Sequence, residues 1–443
     1  MTRILNLMPN KMPFKKPTAS RFLVVKLLLL TAVSLSPLLS SAQEVSAQRM
    51  SPQHVNTQIQ ISMEKAIGLS LQQHPDLKAF VHDKLAMQAY EQQATVGSIP
   101  TIGLTIEDAL GTGSHSGIKS AQSTMSIAWV LDNEVVEQKI NLAKSKSVRV
   151  DIERESKALD IAADTAKLFV TTLILEQRLK LAERSVQQAS NVYQQIKKRV
   201  EASKTTNVDL LLGKNEVIER ELIVEDLTHE LDASRYLLFA QWNANEQTAI
   251  TGDLLQLPSI PTFDELTAKI TSNPAFKLFA SNARIAQSEI SAARVQVKPV
   301  WQFNAGVRRY ETTDDFGLVA GVSIPFGDEN RNSGTIRALN AKITGYEAQA
   351  QALEKRLIKQ VYTLYQELNH SQHVISTLAK QSIPTLEQAV QEAQKAYQVG
   401  SFSFMQWQSI QQKLLNTQEN LLAAYLNLHL NNIEIERLTG GTL

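Results

Sequence analysis

The chain contains eight histidines, His54, His74, His82, His115, His229, His370, His373 and His429. Only Glu367, His370 and His373 form a close, regular group, spaced by three along one segment. Two imidazoles and a carboxylate on one helix face have the donor types that hold a transition-metal ion. The same residues also make an ordinary solvated polar stripe, and that reading is preferred. Cysteine is absent, which excludes disulfides, thiolate nucleophiles and thiolate metal sites. No phosphate-binding loop, nucleophile elbow or paired-carboxylate cleft can be found from spacing. The chain therefore reads as neither an enzyme nor a cofactor carrier.

Charge separates the N-terminus from the rest. Residues 1–42 hold Arg3, Lys11, Lys15, Lys16, Arg21 and Lys26 and no acid, so the 45 basic and 44 acidic residues of the whole chain become 39 and 44 without them. A basic lead, the apolar run Leu27–Val33 and Ser40-Ser41-Ala42 make a cleavable secretory signal ending at Ala42. Residues 43–60 then form an N-terminal extension. The remainder is mildly acidic and has no basic stripe, which argues against nucleic acid. It also has no apolar run long enough for a transmembrane helix.

The elements that would position any site repeat. His74-Pro75 and Asn273-Pro274 each stand 25 residues before a second proline, Pro100 and Pro299, at a constant offset of 199. Strand-type residues, a long helical stretch, a short break and a second long helix follow in both copies. The spacing predicts a first repeat over 61–250, a Pro- and Gly-containing linker over 251–262 and a second repeat over 263–440. Glu134 to Ala202 has neither proline nor glycine over 69 residues, enough for about 100 Å of helix. Long helices are expected over 134–202 and 208–242 in the first copy, and over 334–399 and 404–438 in the second. Pro384 should kink the third of these. The breaks fall at Ser203–Asn207 and Gly400–Ser403. Apolar positions recur every three or four residues (Leu159, Ala162, Ala166, Phe169, Leu173) in a narrow, alanine-rich stripe that needs neighbouring helices.

Strands are expected over about 99–109, 123–131, 300–311 and 317–326. Ile102, Leu104 and Ile106 alternate with Thr101, Gly103 and Thr105, the pattern of a lipid-facing outer-membrane strand and equally of a small soluble sheet. Four strands cannot close a barrel, and an open edge in lipid leaves backbone groups unpaired. Oligomerisation follows from the membrane reading.

Several segments carry a family likeness. They are Ala66 through His74-Pro75-Asp76-Leu77, Glu107-Asp108 with Gly111 and Gly113, Lys198–Lys204 with Asp209-Leu210-Leu211, and Gly252-Asp253-Leu254. Gly321–Phe326, Asn330–Gly334 and Tyr397 with Gly400 and Ser403 follow in the second copy. In this order they resemble the TolC family of outer-membrane efflux proteins, closest to its heavy-metal, CzcC-like branch. The resemblance implies a mainly α fold with a small β part. Three protomers would form a 12-stranded outer-membrane β-barrel continuous with a periplasmic α-helical barrel, in a Gram-negative cell.

Arg199, Ser203, Lys204, Gly400, Ser401 and Phe402 would lie at periplasmic tips that meet an adaptor protein linked to an inner-membrane RND pump. Heavy-metal cations are the implied cargo, with organic solutes or type I secretion as the alternative. A periplasmic coiled-coil scaffold without a pore is the competitor from another class. Two positions depart from the family pattern. Ser203 stands where glycine is usual, so the first tip is expected to be shaped differently, and Gln406 stands where an acid is common. A carboxylate ring at the pore mouth would then lean on Asp209, which reads equally well as a helix-capping residue. Arg199 and Lys204 contact the adaptor or a neighbouring helix, or simply form a solvated basic end. Trp407 reads as packing between helices.

Overall fold

The computed structural model describes residues 60–244 and 248–441. The expected leader over 1–42, and all of the 43–60 extension but Gln60, lie outside the described residues.

The duplication is visible element by element. The first half runs α1 (Met63–Gln73), α2 (Pro75–Ala94), β1 (Thr101–Glu107), β2 (Gln122–Leu131), α3 (Asn133–Glu201) and α4 (Asn207–Ala240). The second runs α5 (Phe263–Lys269), α6 (Pro274–Gln296), β3 (Trp301–Tyr310), β4 (Asp315–Ser323), α7 (Ser333–Thr377), α8 (Ile383–Gln398) and α9 (Phe404–Thr439). The two X-Pro pairs open α2 and α6 in the same way. Pro75 and Pro274 start the helices, where a missing N–H costs nothing, and the preceding side chain caps. His74 Nδ1 accepts from the Asp76 N–H at 3.2 Å, and Asn273 Oδ1 from the Ala275 N–H at 2.9 Å.

The 69 residues of α3 form one uninterrupted helix. The rod expected over 334–399 runs on through a π-helical turn, Leu378–Ser382, which lies between α7 and α8 just before Pro384. Pro384 is the cause. It has no N–H to donate, and its ring displaces the carbonyl four residues earlier, so the preceding turn widens.

Alanines 162, 163 and 166 with Phe169, Leu173 and Ile174 of α3 pack against Leu238 and Phe239 of α4, Leu357, Val361 and Leu368 of α7, and Leu428 and Leu438 of α9. The 251–262 linker is stitched into this core. Ile61 and Ile250 form a parallel bridge, and a Cβ on Gly252 would stand 2.7 Å from Leu173 Cδ1.

A charged cluster ties the end of α9 to α3. Arg437 Nη1 donates to Asp160 at 2.8 Å and Nη2 to Glu434 at 2.6 Å, while Lys167 also holds Glu434. Burial would raise the Glu434 pKa, but the hydrogen bonds from Arg437 and Lys167 outweigh it and hold the carboxyl at about 2, against an ordinary 4.5. A depressed carboxylate stabilises the fold above its unfolded pKa, and that contribution is lost as pH falls through the folded one. Stability should therefore drop by about 3 kcal/mol between pH 5 and pH 2 through this group. Glu434→Gln should flatten that part of the curve in chemical unfolding. An unchanged slope would remove the assignment.

The four strands form one antiparallel sheet in the order β1-β2-β3-β4, leaving β1 and β4 as edges. The β2–β3 ladder, Gln122↔Tyr310 through Leu131↔Trp301, joins the two halves of the chain. The strands differ from expectation at their ends. β1 begins at Thr101 and stops at Glu107 because Asp108 and Leu110 turn into the left-handed region at φ 55° and 61°. β4 starts at Asp315, directly after Asp314 at φ 57°, and ends at Ser323, before Pro325 could break the ladder.

Candidate functional site

The register sorts the sheet into two faces. Ile102 opposes Ile127, which opposes Ala305, and Leu104 opposes Met125, which opposes Val307 and then Leu318. Among the described residues nothing covers this apolar face: Leu318 is 90% exposed, Ile102 73% and Leu104 72%. Trp129, Phe303 and Trp301 stack along its helix-proximal end, with ring centroids 5.9 and 6.2 Å apart. The opposite face carries Thr105, Thr124, Ser126, Asn304 and Arg308. A soluble sheet would bury the first face, and this one leaves it exposed. At the junction with the helices, Asp132 Oδ2 accepts from the Ser98 N–H at 2.9 Å and hydroxyl at 2.8 Å, which clamps the entry to β1 onto the start of α3.

At the far end of the helices the two hairpin turns have one backbone design. Ser203 (φ 55°) and Gly400 (φ 82°) both take the left-handed conformation. The next residue's N–H reaches back five residues in each: Lys204 to Arg199 O at 2.8 Å and Ser401 to Ala396 O at 3.0 Å. This paired closure satisfies the last carbonyls of the helix. Ser203 thus does not give the first tip a different shape, contrary to expectation, because these hydrogen bonds hold it in the same geometry. A serine there carries a cost of about 1 kcal/mol relative to glycine. Ser203→Gly should accordingly raise stability by about that amount in thermal unfolding; a loss would show that the serine side chain contributes something of its own.

Asp209 and Gln406 occupy equivalent positions. Gln406 is committed to a capping box with Ser403, its Oε1 accepting from the Ser403 N–H at 2.9 Å. Asp209 sits in the first turn of α4, where its N–H meets the capping Thr206 hydroxyl at 3.4 Å and its carboxylate accepts from the Thr205 hydroxyl.

The two hairpins lock together just inside the tips. Arg199 Nη1 donates to Gln398 O at 3.0 Å, and its guanidinium lies 4.8 Å from the centre of the Tyr397 ring. Tyr397 stacks on buried Trp407 at 5.1 Å, with Val192, Ile196, Ala393 and Phe404 around them. Burial pushes the Tyr397 phenol up in pKa, against the pull of the Arg199 guanidinium. Arg199 Nε, Tyr397 Oη and Trp407 Nε1 are buried without hydrogen-bond partners among the described residues, so the lock is polar yet incompletely satisfied there. Arg199 therefore touches the neighbouring hairpin, and Trp407 packs between helices as its sequence context suggested. Lys204 and Ser401 are exposed, while Phe402 packs at the margin of the cluster.

Sequence reasoning missed a second link. Buried Arg220 holds Glu216 at 2.6 Å, and Glu216 also accepts from Gln408 of α9. Only an i, i+4 Glu-Arg pair marked it.

Glu367, His370 and His373 are not gathered into a site. Steps of three drift around a helix, so the first and third side chains diverge. Both histidines are exposed, Glu367 accepts from Asn431 at 3.2 Å, and no group of three or more His, Asp or Glu among the described residues is placed to hold a metal ion.

The family model described as outer membrane efflux protein matches the chain twice, over residues 66–233 and 269–441. The cobalt-zinc-cadmium resistance protein CzcC of Cupriavidus metallidurans is 24% identical over 394 residues, covering 86% of this chain and 90% of CzcC. The nickel and cobalt resistance protein CnrC of the same organism is 24% identical over 312 residues, covering 66% and 72%. Among solved structures, the outer membrane protein VceC from Vibrio cholerae has the same fold, with a TM-score of 0.66 at 14% identity over 86% of this chain and 96% of VceC. Two successive matches, one on each copy of a structure that repeats its elements in order, establish that this chain belongs to the outer membrane efflux protein family.

Proposed function

We propose that three copies of this chain close into a passive channel that conducts heavy-metal cations from the periplasm to the exterior, fed by an inner-membrane pump through a periplasmic adaptor at the helical tips. The observation that carries the reading is the sheet: an outward apolar face together with two unpaired edges, β1 and β4. In lipid those edges must be paired, and copies of the same sheet are the available partners. Three copies supply 12 strands, within the range of closed barrels. No helix among the described residues is long and apolar enough to cross a membrane, and the exposed apolar face of the strands is the surface that would meet lipid. The cargo rests on likeness to CzcC and CnrC, named for resistance to cobalt, zinc, cadmium and nickel. The adaptor would meet the exposed turn residues Ser203, Lys204, Gly400 and Ser401. Asp209, half-buried at its cap, would add one negative charge per subunit near the mouth.

Two experiments test this. Purified protein in mild detergent should run as a heat-modifiable trimer; a monomer recovered from the soluble periplasmic fraction would leave only a scaffold. Deleting the gene should sensitise cells to zinc, cobalt, cadmium or nickel. Sensitivity confined to organic drugs would overturn the cargo and keep the channel.

A further inference from the structure

The polar face of the sheet has almost no charge. Reading outward from the helices, the register stacks four rows: Thr101–Ala128–Asn304–Gly321, Gly103–Ser126–Gly306–Val319, Thr105–Thr124–Arg308–Gly317, and Glu107–Gln122–Tyr310–Asp315. Glu107, Arg308 and Asp315 are the only charged side chains the strands place on this face, all in the two outermost rows. Below them the row Gly103–Ser126–Gly306–Val319 carries no charge.

Arg308 is held across three strands. Its Nε donates to Thr124 Oγ1 at 2.9 Å, Nη1 to Gln122 Oε1 at 2.9 Å and Nη2 to Glu107 Oε2 at 2.7 Å. Gln122 is fixed in turn by donating to Asp108 at 2.8 Å. An arginine with this many partners has a fixed position, and a fixed charge on a lumen wall acts on every ion that passes.

We propose that Arg308 and Glu107 together set the ion preference at the outer end of the lumen, with Glu107 neutralising an arginine that would otherwise repel cations. This rests on the channel reading, which makes the polar face the lumen wall. A ring of three arginines is a barrier to divalent cations. Paired with three glutamates, it keeps the wall cross-linked without imposing that barrier. The arginine is a structural tie between β1, β2 and β3, and the glutamate makes the tie compatible with cation exit.

The test uses the full-length trimer in planar bilayers under a potassium chloride gradient at about 0.1 M, where screening extends over about 10 Å. Glu107→Gln should shift the potassium-to-chloride permeability ratio toward chloride by about fivefold, and Arg308→Gln toward potassium by a similar factor. The double variant should return near wild type. Because the chain has no cysteine, Thr105→Cys in the Arg308 row gives a single thiol for a second readout. Its modification by an anionic methanethiosulfonate, relative to a cationic one, should rise about fivefold when Glu107→Gln is added. That arm, with Glu107→Gln alone, carries the test should Arg308→Gln fail to assemble. An unchanged permeability ratio and an unchanged reagent ratio would overturn the proposal while leaving the channel intact. A wild-type trimer that conducts no ions, or a Thr105→Cys thiol that neither reagent reaches, would overturn the channel reading and this inference with it.

Discussion

Gly306→Ala will prevent assembly of the sheet, at a cost above about 4 kcal/mol. Gly306 faces Ser126 in the middle of the β2–β3 ladder. A Cβ there would lie 2.5 Å from the Met125 carbonyl oxygen and 2.9 Å from Ser126 Cβ. The first of these is backbone in the interior of a sheet, so no rotamer change relieves it. The ladder that would have to shift is the one joining the two repeats, so the change separates one β-hairpin from the other and leaves two more edges to be paired. The measurement is the amount of heat-modifiable oligomer in the outer-membrane fraction. Gly103→Ala is the control: on the same row, its Cβ would sit 3.4 Å from Ser126 Oγ, an ordinary contact. Wild-type amounts of oligomer from Gly306→Ala would show that the repeats do not pair in this register.

The second large effect is expected at the tips. Trp407 is 1% exposed and stacks on Tyr397 within the small cluster that joins α8 and α9 to α3 and α4. Removing an indole from such a site costs about 3–5 kcal/mol, transfer and cavity together. The cluster is separate from the main core, so the loss should be local. Trp407→Ala should keep the proposed trimer and its sheet, yet be cleaved faster by protease near Ser203 and Val399, and show higher conductance in bilayers. Tyr397→Phe removes only a hydroxyl that has no partner and should remain within about 1 kcal/mol of wild type. Unchanged cleavage and conductance in Trp407→Ala would mean the cluster does not hold the hairpins together.

The long rods and the strands were legible because their signals are local. Sixty-nine residues without a breaker leave the chain few options other than helix, and period-two alternation marks a strand by itself. The helices α1, α2, α5 and α6 leave no comparable signal in the sequence. In α2 only Leu77 is buried, while Val81, Leu85 and Tyr90 are exposed, and its other large apolar residues, Phe80 and Met87, fall on a different side, so no single apolar face marks it. The metal group failed for a geometric reason: equal spacing of three suggests a face, but the third member has already turned away. The tip cluster was legible only in part: Trp407 reads as packing between helices, but the partners of Arg199, Gln398 and Tyr397, lie nearly two hundred residues away in sequence. Ser203 shows the limit of residue type as a guide. The break at Ser203–Asn207 is read from the sequence, but without glycine as a marker its left-handed closure is disclosed only by the reach-back hydrogen bonds.

The two rods of each subunit are mechanically unlike. An unbroken ladder of hydrogen bonds resists flexing along its whole length, whereas the widened turn at Leu378–Ser382 gives the other rod one defined joint. Around a threefold axis, stiff struts would then alternate with jointed limbs. Compliance at the periplasmic end would reside in the second repeat, and an added bond stiffening that joint should fix the aperture as firmly as one placed at the tip itself.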